Sequence, residues 1–159
     1  MAVSLRPMNQ DEFASWLPRA RDRYAMEIAR SGGGSDEEAA RRKAIEDAEQ
    51  LFPDGQPSPD QFVFVVEADG EAVGEFWFAE RATSFGRCLW IYDIRIDDAY
   101  RGRGYGRAAM LFAEAEARQR GFSRIGLNVF GGNDIARSLY RSLGYEENAI
   151  FMSKAVSRP

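Results

Sequence analysis

The spacing of apolar residues changes several times along the chain, and each change predicts a new element. Residues 3–8 alternate apolar and polar like a short strand. Asn9 to Asp11 then supply a helix start for a stretch reaching about Ser31, in which Pro18 predicts a kink or break. Gly32, Gly33 and Gly34 end that helix as a hinge. Ser35-Asp36-Glu37-Glu38 places a cap and first-turn acids on a second helix running to about Leu51. After the turn chemistry of FPDGQPSPD come three strand candidates, 61–68, 72–80 and 87–97. The first two are joined by a turn at Asp69-Gly70, and together they read as an antiparallel meander.

The pattern then becomes strand (LWIYDIRI), glycine loop (DDAYRGRGYG) and helix, with Ala108, Leu111, Phe112 and Ala115 at i, i+3, i+4 and i+7 and Gly121 as the stop. A strand over 124–130, a turn and cap at Gly131-Gly132-Asn133, a short helix over 134–143 ending at Gly144, and a last strand over 149–156 complete it. The order β-α-α-β-β-β-α-β-α-β predicts one mixed α/β domain over 1–159 with at least one parallel crossover, through the helix after the glycine loop.

Composition narrows the chemistry. The chain has no histidine, which removes imidazole as base and as metal ligand, and Cys88 is its only cysteine, so it has no intrachain disulfide. Ser-His-Asp and Cys-His catalysis are excluded, and no metal site is expected. The apolar runs are strand-sized and the N-terminus lacks a secretory pattern, so neither membrane nor export is expected and the cytoplasm is. Arginine far outnumbers lysine, which occurs only at Lys43 and Lys154, and this hints at a GC-rich bacterial genome.

Residues 1–80 carry 8 basic and 17 acidic side chains, whereas 81–159 carry 13 basic and 8 acidic. The second half suits a polyanion and the first a cation, unless both are merely solvated surface. A net charge of −4 disfavours nucleic acid as a partner.

Gly102, Gly104 and Gly106 allow close backbone approach to a ligand and open a helix whose N-terminal dipole favours an anion. The loop is not a dinucleotide fingerprint, because position 107 is Arg107, and no P-loop motif occurs. Arg101, Arg103 and Arg107 add positive charge suited to a pyrophosphate or a 3′-phosphate.

On these residues the chain resembles the GNAT superfamily of N-acetyltransferases, whose loop [QR]-x-x-G-x-[GA] is matched by Arg101-Gly102-Arg103-Gly104-Tyr105-Gly106. A second pattern, N-x-x-A-x-x-x-Y-x-x-x-G-[FY], is matched in register by Asn133, Ala136, Tyr140, Gly144 and Tyr145. The resemblance is specific over 88–156, the acetyl-CoA half, and topological over 1–87, the acceptor half. It implies a mostly antiparallel sheet with a splayed parallel pair, flanked by helices, and acetyl-CoA held on backbone amides from Gly102 to Arg107. It also implies that the backbone of Ile94, Arg95 and Ile96 is left free to pair with the pantetheine arm, and that Tyr140 protonates the departing thiolate. Asn133 serves either as a helix cap or as a CoA contact.

The same resemblance points to Asp93 as the general base for an attacking amine. Glu75 and Glu80 are rivals, and Tyr92 or Asn128 could relay the proton through water. Tyr24, Glu27, Glu75 and Trp77 are candidates for an aromatic and acidic acceptor pocket, although Trp77 equally suits the core. The expected reaction is direct transfer of acetyl to a small-molecule or protein amine in a ternary complex. A weak CoA-binding module and a transferase for larger acyl groups are the alternatives. The stretch after Tyr145 is short, so the last strand pair is expected to be abbreviated, leaving the mouth open or completed by a second subunit of a homodimer.

Overall fold

The structure, a computed structural model, describes residues 2–31 and 36–157. The glycine hinge at Gly32 to Gly34 and Ser35 lie outside the described residues. Five strands form one sheet in the order β1 (Val3–Pro7), β2 (Gln61–Ala68), β3 (Glu71–Thr83), β4 (Gly86–Ile96), β5 (Ile125–Leu127). The first four pair antiparallel and β5 pairs parallel with β4. Among the described residues four α-helices flank the sheet: α1 (Gln10–Ser31), α2 (Glu37–Leu51), α3 (Tyr105–Gln119) and α4 (Asp134–Ser142). Among the described residues, no helix is long and apolar enough to cross a membrane.

Local chemistry explains most boundaries. Asn9 Oδ1 accepts from the Glu12 amide at 2.8 Å and Glu12 Oε2 accepts from the Asn9 amide at 2.9 Å, a reciprocal box that starts α1. Asp36 caps α2 through the Glu38 amide at 3.0 Å, and Asn133 caps α4 through the Ala136 amide at 3.2 Å. Asp69 and Gly70, both at positive φ, make the tight β2–β3 turn.

Pro18 does not break α1. The proline forfeits one backbone bond, while Phe13 and Trp16 on the turns before it are fully buried and keep the helix seated on the sheet.

The sheet has two different faces. Against α3 lies a wholly apolar core that includes Val66, Val73, Phe76, Phe78, Leu89, Ala109, Met110 and Ala113. Against α1 and α2 lies a smaller cluster of Phe13, Trp16, Phe52 and Val63, with Leu17, Leu51 and Trp77 packed on it. A register shift between Trp77 and Phe78 leaves Tyr92 as an extra residue on β4: Phe78 faces Ile91, and Trp77 faces Asp93.

Three expectations need correction. The face that α3 buries is Tyr105, Ala109, Met110, Ala113 and Ala117, while Leu111 of the expected stripe stays exposed, because the alanines allow the helix to lie close on the sheet. The strand expected over 124–130 pairs only over Ile125–Leu127. The strand expected over 149–156 is absent: those residues are exposed and pair with no strand of the sheet.

Candidate active site

The pairing of β4 with β5 stops at Ile91, opposite Leu127, and β4 runs on for five more residues. On its other side β4 stays bonded to β3 through Ile96. Its far end therefore carries a free edge over Asp93, Ile94, Arg95 and Ile96, the opening that an extended ligand arm could line. The side chains of Ile94 and Ile96 pack on the α3 core, so only their backbone is available for such a role.

Beyond Ile96 the chain enters the glycine loop. Gly102 and Gly104 adopt φ of 76° and 84°, and nothing lies within 4 Å of where a Cβ would sit on either. Gly104 is the N-cap of α3, so the first amides of the helix face this open space. Gly106 differs: a Cβ there would make ordinary contact with Leu139 at 3.6 Å and Ile96 at 3.8 Å. Tyr105 is buried in the core.

The three arginines are exposed and locally anchored. Arg101 donates to the Ile96 carbonyl at 3.1 Å and pairs with Asp98 at 2.8 Å, Arg103 donates to the Ala99 carbonyl, and Arg107 donates to Ser142 Oγ at 2.7 Å. The loop thus offers open amides ringed by cations, which fits a pyrophosphate. The Tyr145 hydroxyl is buried and makes no hydrogen bond among the described residues, and the Tyr145 ring lies 5.9 Å from that of Tyr140.

The carboxylates converge on the opposite face, while Tyr140 packs against the α3 core. Arg23 of α1 reaches Asp93 Oδ2 at 3.1 Å and Glu75 Oε2 at 3.2 Å, and Arg19 one turn earlier pairs with Glu75 Oε1 at 2.8 Å. Glu27, one turn later, makes no ion pair or hydrogen bond among the described residues. Its carboxyl is raised by the protein crowding one side of it and by the nearby charge of Asp93, with Arg23 and Arg30 opposing.

Asp93 retains 35% of its side-chain surface. Desolvation nevertheless pushes its carboxyl up, against the pull of Arg23. Tyr140 of α4 is pushed up to about 12 by burial and by the negative charge of Asp93 and Glu27. The structure therefore brings Tyr140, Asp93, Glu27 and Glu75 into one electrostatic neighbourhood.

The remaining candidates sit elsewhere. Trp77 belongs to the α1/α2 core, stacks on Tyr92 at 4.4 Å and donates to Gln61 Oε1 at 2.7 Å, so it acts as packing rather than as a pocket wall. The Tyr24 hydroxyl donates to Asp47 of α2 at 3.3 Å, tying the two helices together. Glu80 is an exposed partner of Arg87. A cleft of about 410 Å³ between α1 and β3 includes Arg19 and Glu75 but neither Asp93 nor Tyr140, and so flanks the cluster without containing it. Arg19 and Arg23 are absent from the sequence expectation, although Arg19, Arg23 and Glu27 recur at i, i+4 and i+8 and so share one face of α1.

The Acetyltransferase (GNAT) family model matches residues 23–145. The chain belongs to that family. Its relatives include the protein named uncharacterized N-acetyltransferase YycN of Bacillus subtilis, 30% identical over 97% of this chain and 99% of its own length. A crystal structure of YycN superimposes with a TM-score of 0.88 at 29% identity, covering 99% of this chain and all of that one. Streptothricin acetyltransferase of Streptomyces lavendulae is 32% identical over 58% of this chain and 48% of its own length. The same fold, at a TM-score of 0.61 and 19% identity, occurs in AAC(6')-Iy, solved with a CoA-linked bisubstrate analog, over 98% of this chain and all of that one. As a GNAT protein the chain is an acetyltransferase of mixed α/β fold, in a family that uses acetyl-CoA. Among the described residues there is no cluster of three or more Cys, Asp or Glu that could hold a metal.

Proposed function

We propose that the chain, as a single domain over 1–159, transfers acetyl from acetyl-CoA to a primary amine by direct attack in a ternary complex. The observation that carries this is the free end of β4, which runs from the acid–base cluster at Asp93 to the open amides of the glycine loop at Gly102 and Gly104. The pyrophosphate sits on amides from Gly102 to Arg107, within the field of Arg101, Arg103 and Arg107. The thioester lies along Ile94, Arg95 and Ile96, whose backbone supplies the oxyanion donor. Asn133 is occupied as the α4 cap, which favours that role over contact with CoA.

Asp93 takes the proton of the acceptor ammonium. Its raised carboxyl makes it a better base than a solvated aspartate, and Arg23 fixes its orientation. Glu27, which makes no ion pair among the described residues, receives the ammonium as it arrives, and the acidic first half favours a cationic acceptor. As nitrogen bonds to the acyl carbon, the carbon–sulfur bond breaks, the nitrogen's second proton passes to the departing sulfur to leave amide and thiol, and Tyr140 hydrogen-bonds the sulfur while its charge develops. A phenol near 12 gives up its proton to a thiolate of conjugate acid near ~8.5 only uphill, so Tyr140 works chiefly as a hydrogen-bond donor to the developing charge.

Thiol release from acetyl-CoA against a panel of small-molecule and peptide amines tests this. Turnover with at least one amine is expected. CoA-dependent stabilisation without release from any amine would replace the enzyme with a CoA-binding module.

A further inference from the structure

The arginines at the β3–β4 turn end of the sheet fall into two sets. Arg118 and Arg120 at the end of α3 pair with Glu114 and Glu116, and Arg87 of β4 pairs with Glu80. Arg81 of β3 and Arg124, just before β5, differ: neither makes an ion pair or hydrogen bond among the described residues. Each lies instead on an aromatic ring, Arg81 with its guanidinium carbon 4.6 Å from the centre of Trp90 and Arg124 at 5.4 Å from that of Phe85. Stacking engages the face of a guanidinium and leaves its N–H edge for an oxyanion.

The register puts both on the α1/α2 face. Arg81 lies opposite Cys88, Ala79 opposite Trp90, and Trp90 opposite Gly126. The Leu89 amide donates to the Arg124 carbonyl at 3.1 Å, so Arg124 stands one step before Ile125 and, by alternation, on the side of Gly126. Ala79 and Gly126 give Trp90 room to lie across the sheet: a Cβ on Gly126 would meet the indole at 2.9 Å. Trp90 is therefore a fixed slab, with Gly126 on one side and Arg81 on the other.

This surface is continuous with the Asp93 network. The extra residue on β4 brings Tyr92 and Asp93 to the same face as Trp90, and all three keep part of their surface exposed. From Asp93 back to the level of Cys88 the strand covers about 15 Å, at ~3.3 Å per residue.

We propose that the acyl acceptor is an elongated amine bearing a carboxylate about 15 Å from its nitrogen, the length of a short extended peptide, and that Arg81 and Arg124 hold that carboxylate. The far group is an anion because two unpaired guanidinium edges await it. It is distant because the amine must reach Asp93, and Trp90 and Tyr92 offer flat rings to the stretch between. Opposite charges at the two ends admit such a molecule in one orientation. The inference rests on the acyl transfer proposed above.

The test pairs calorimetric binding with thiol release from acetyl-CoA, using C-terminally amidated glycine peptides that carry either glutamate or glutamine about four residues from a free amino end. The glutamate peptide should bind the parent at least about tenfold more tightly than the glutamine peptide. Arg81→Gln and Arg124→Gln should each reduce that preference and together remove it. Both side chains are exposed, so the variants keep the fold, checked by circular dichroism. Moving the glutamate next to the amino end of the peptide should remove the preference as well. A parent indifferent to the charge, or a preference that survives the double variant, overturns the proposal. Charge-dependent binding without thiol release from any amine would overturn the acyl transfer and the acceptor role with it, whereas release without charge preference would overturn the acceptor class alone.

Discussion

The two faces of the sheet use the same strands for opposite purposes. The α3 face has an apolar centre, with Val66, Phe78, Leu89, Ala109 and Met110 at 0% exposure, and at its end the glycine loop presents the open backbone amides to which the proposed function assigns the nucleotide. The α1/α2 face mixes an aromatic cluster with the Arg19, Arg23, Glu75 and Asp93 network, to which the proposed function assigns the proton transfer from the amine. Cofactor binding, on this division, depends on conformation at a few glycines. Turnover depends on charge placed by elements far apart in sequence. Substitutions on the two sides should therefore fail in different ways.

The largest expected effect is at the loop. Gly104→Asp should abolish the rise in melting temperature that CoA gives the parent, because it puts a side chain and a negative charge into the open space where phosphate would sit. Undiminished stabilisation would move the nucleotide elsewhere.

Next comes Asp93→Asn, which should cost about 10²-fold in kcat with acetyl-CoA binding intact. In the parent, kcat should fall as pH drops through the raised carboxyl of Asp93 and protonates the base. The Asn variant should lose that limb and recover partly at high pH, where solvent supplies free amine. If Glu27→Gln flattens the profile and Asp93→Asn does not, the base is Glu27.

Tyr140→Phe should lower kcat by about tenfold, the worth of one hydrogen bond to a charged atom, with little change in acetyl-CoA affinity. A parent-like kcat would leave Tyr140 a packing residue.

Two alanine substitutions separate conformation from space within the loop. Gly104→Ala should destabilise the fold by about 1–2 kcal/mol, because a Cβ is strained at its φ of 84°. Gly106→Ala should be nearly neutral, since its Cβ finds ordinary contacts. Equal losses in chemical denaturation would show that the left-handed backbone is not what Gly104 supplies.

The smallest effect belongs to the α1 cap. Arg6 and the Asn9 amide hold the Glu12 carboxyl down at about 2, so its contribution is present above the ordinary glutamate value and lost as pH falls toward 2. Glu12→Gln should cost a little stability at neutral pH and nothing once the carboxyl is protonated, measured as the difference in melting temperature between the two conditions.

The same division explains what the sequence made legible. The glycine loop and the Asn133 to Tyr145 pattern are local, so their residues could be read directly and their elements form where expected. Asp93 and Tyr140 are carried over by resemblance, and the charge of Asp93 is among the causes that raise Tyr140. Arg23 was missed because its meaning lies in contacts 52 and 70 residues away, with Glu75 and Asp93. Trp77 and Tyr24 show contacts that the sequence did not predict: Trp77 packs on the α1/α2 cluster, and Tyr24, 40% exposed, bonds Asp47 across the two helices. Residues 149–156 have strand composition yet pair with no strand of the sheet, because composition does not supply a partner edge.

The extra residue on β4 works like a shift of reading frame. Leu89 and Ile91 point to the α3 core, and so do Ile94 and Ile96, an interval of three where strict alternation would demand two. Without that slip, Asp93 and Arg95 would face the apolar core while Ile94 and Ile96 faced the charged network. The slip also lets Tyr92 and Asp93, though consecutive, lie on the same side, one against Trp77 and the other against Arg23. It follows that this strand has one position where its length is negotiable. Deleting Tyr92 would heal the bulge and leave every later side chain on its present face, whereas deleting Ile94 would invert the strand's last two residues and turn the backbone meant for the thioester the wrong way round.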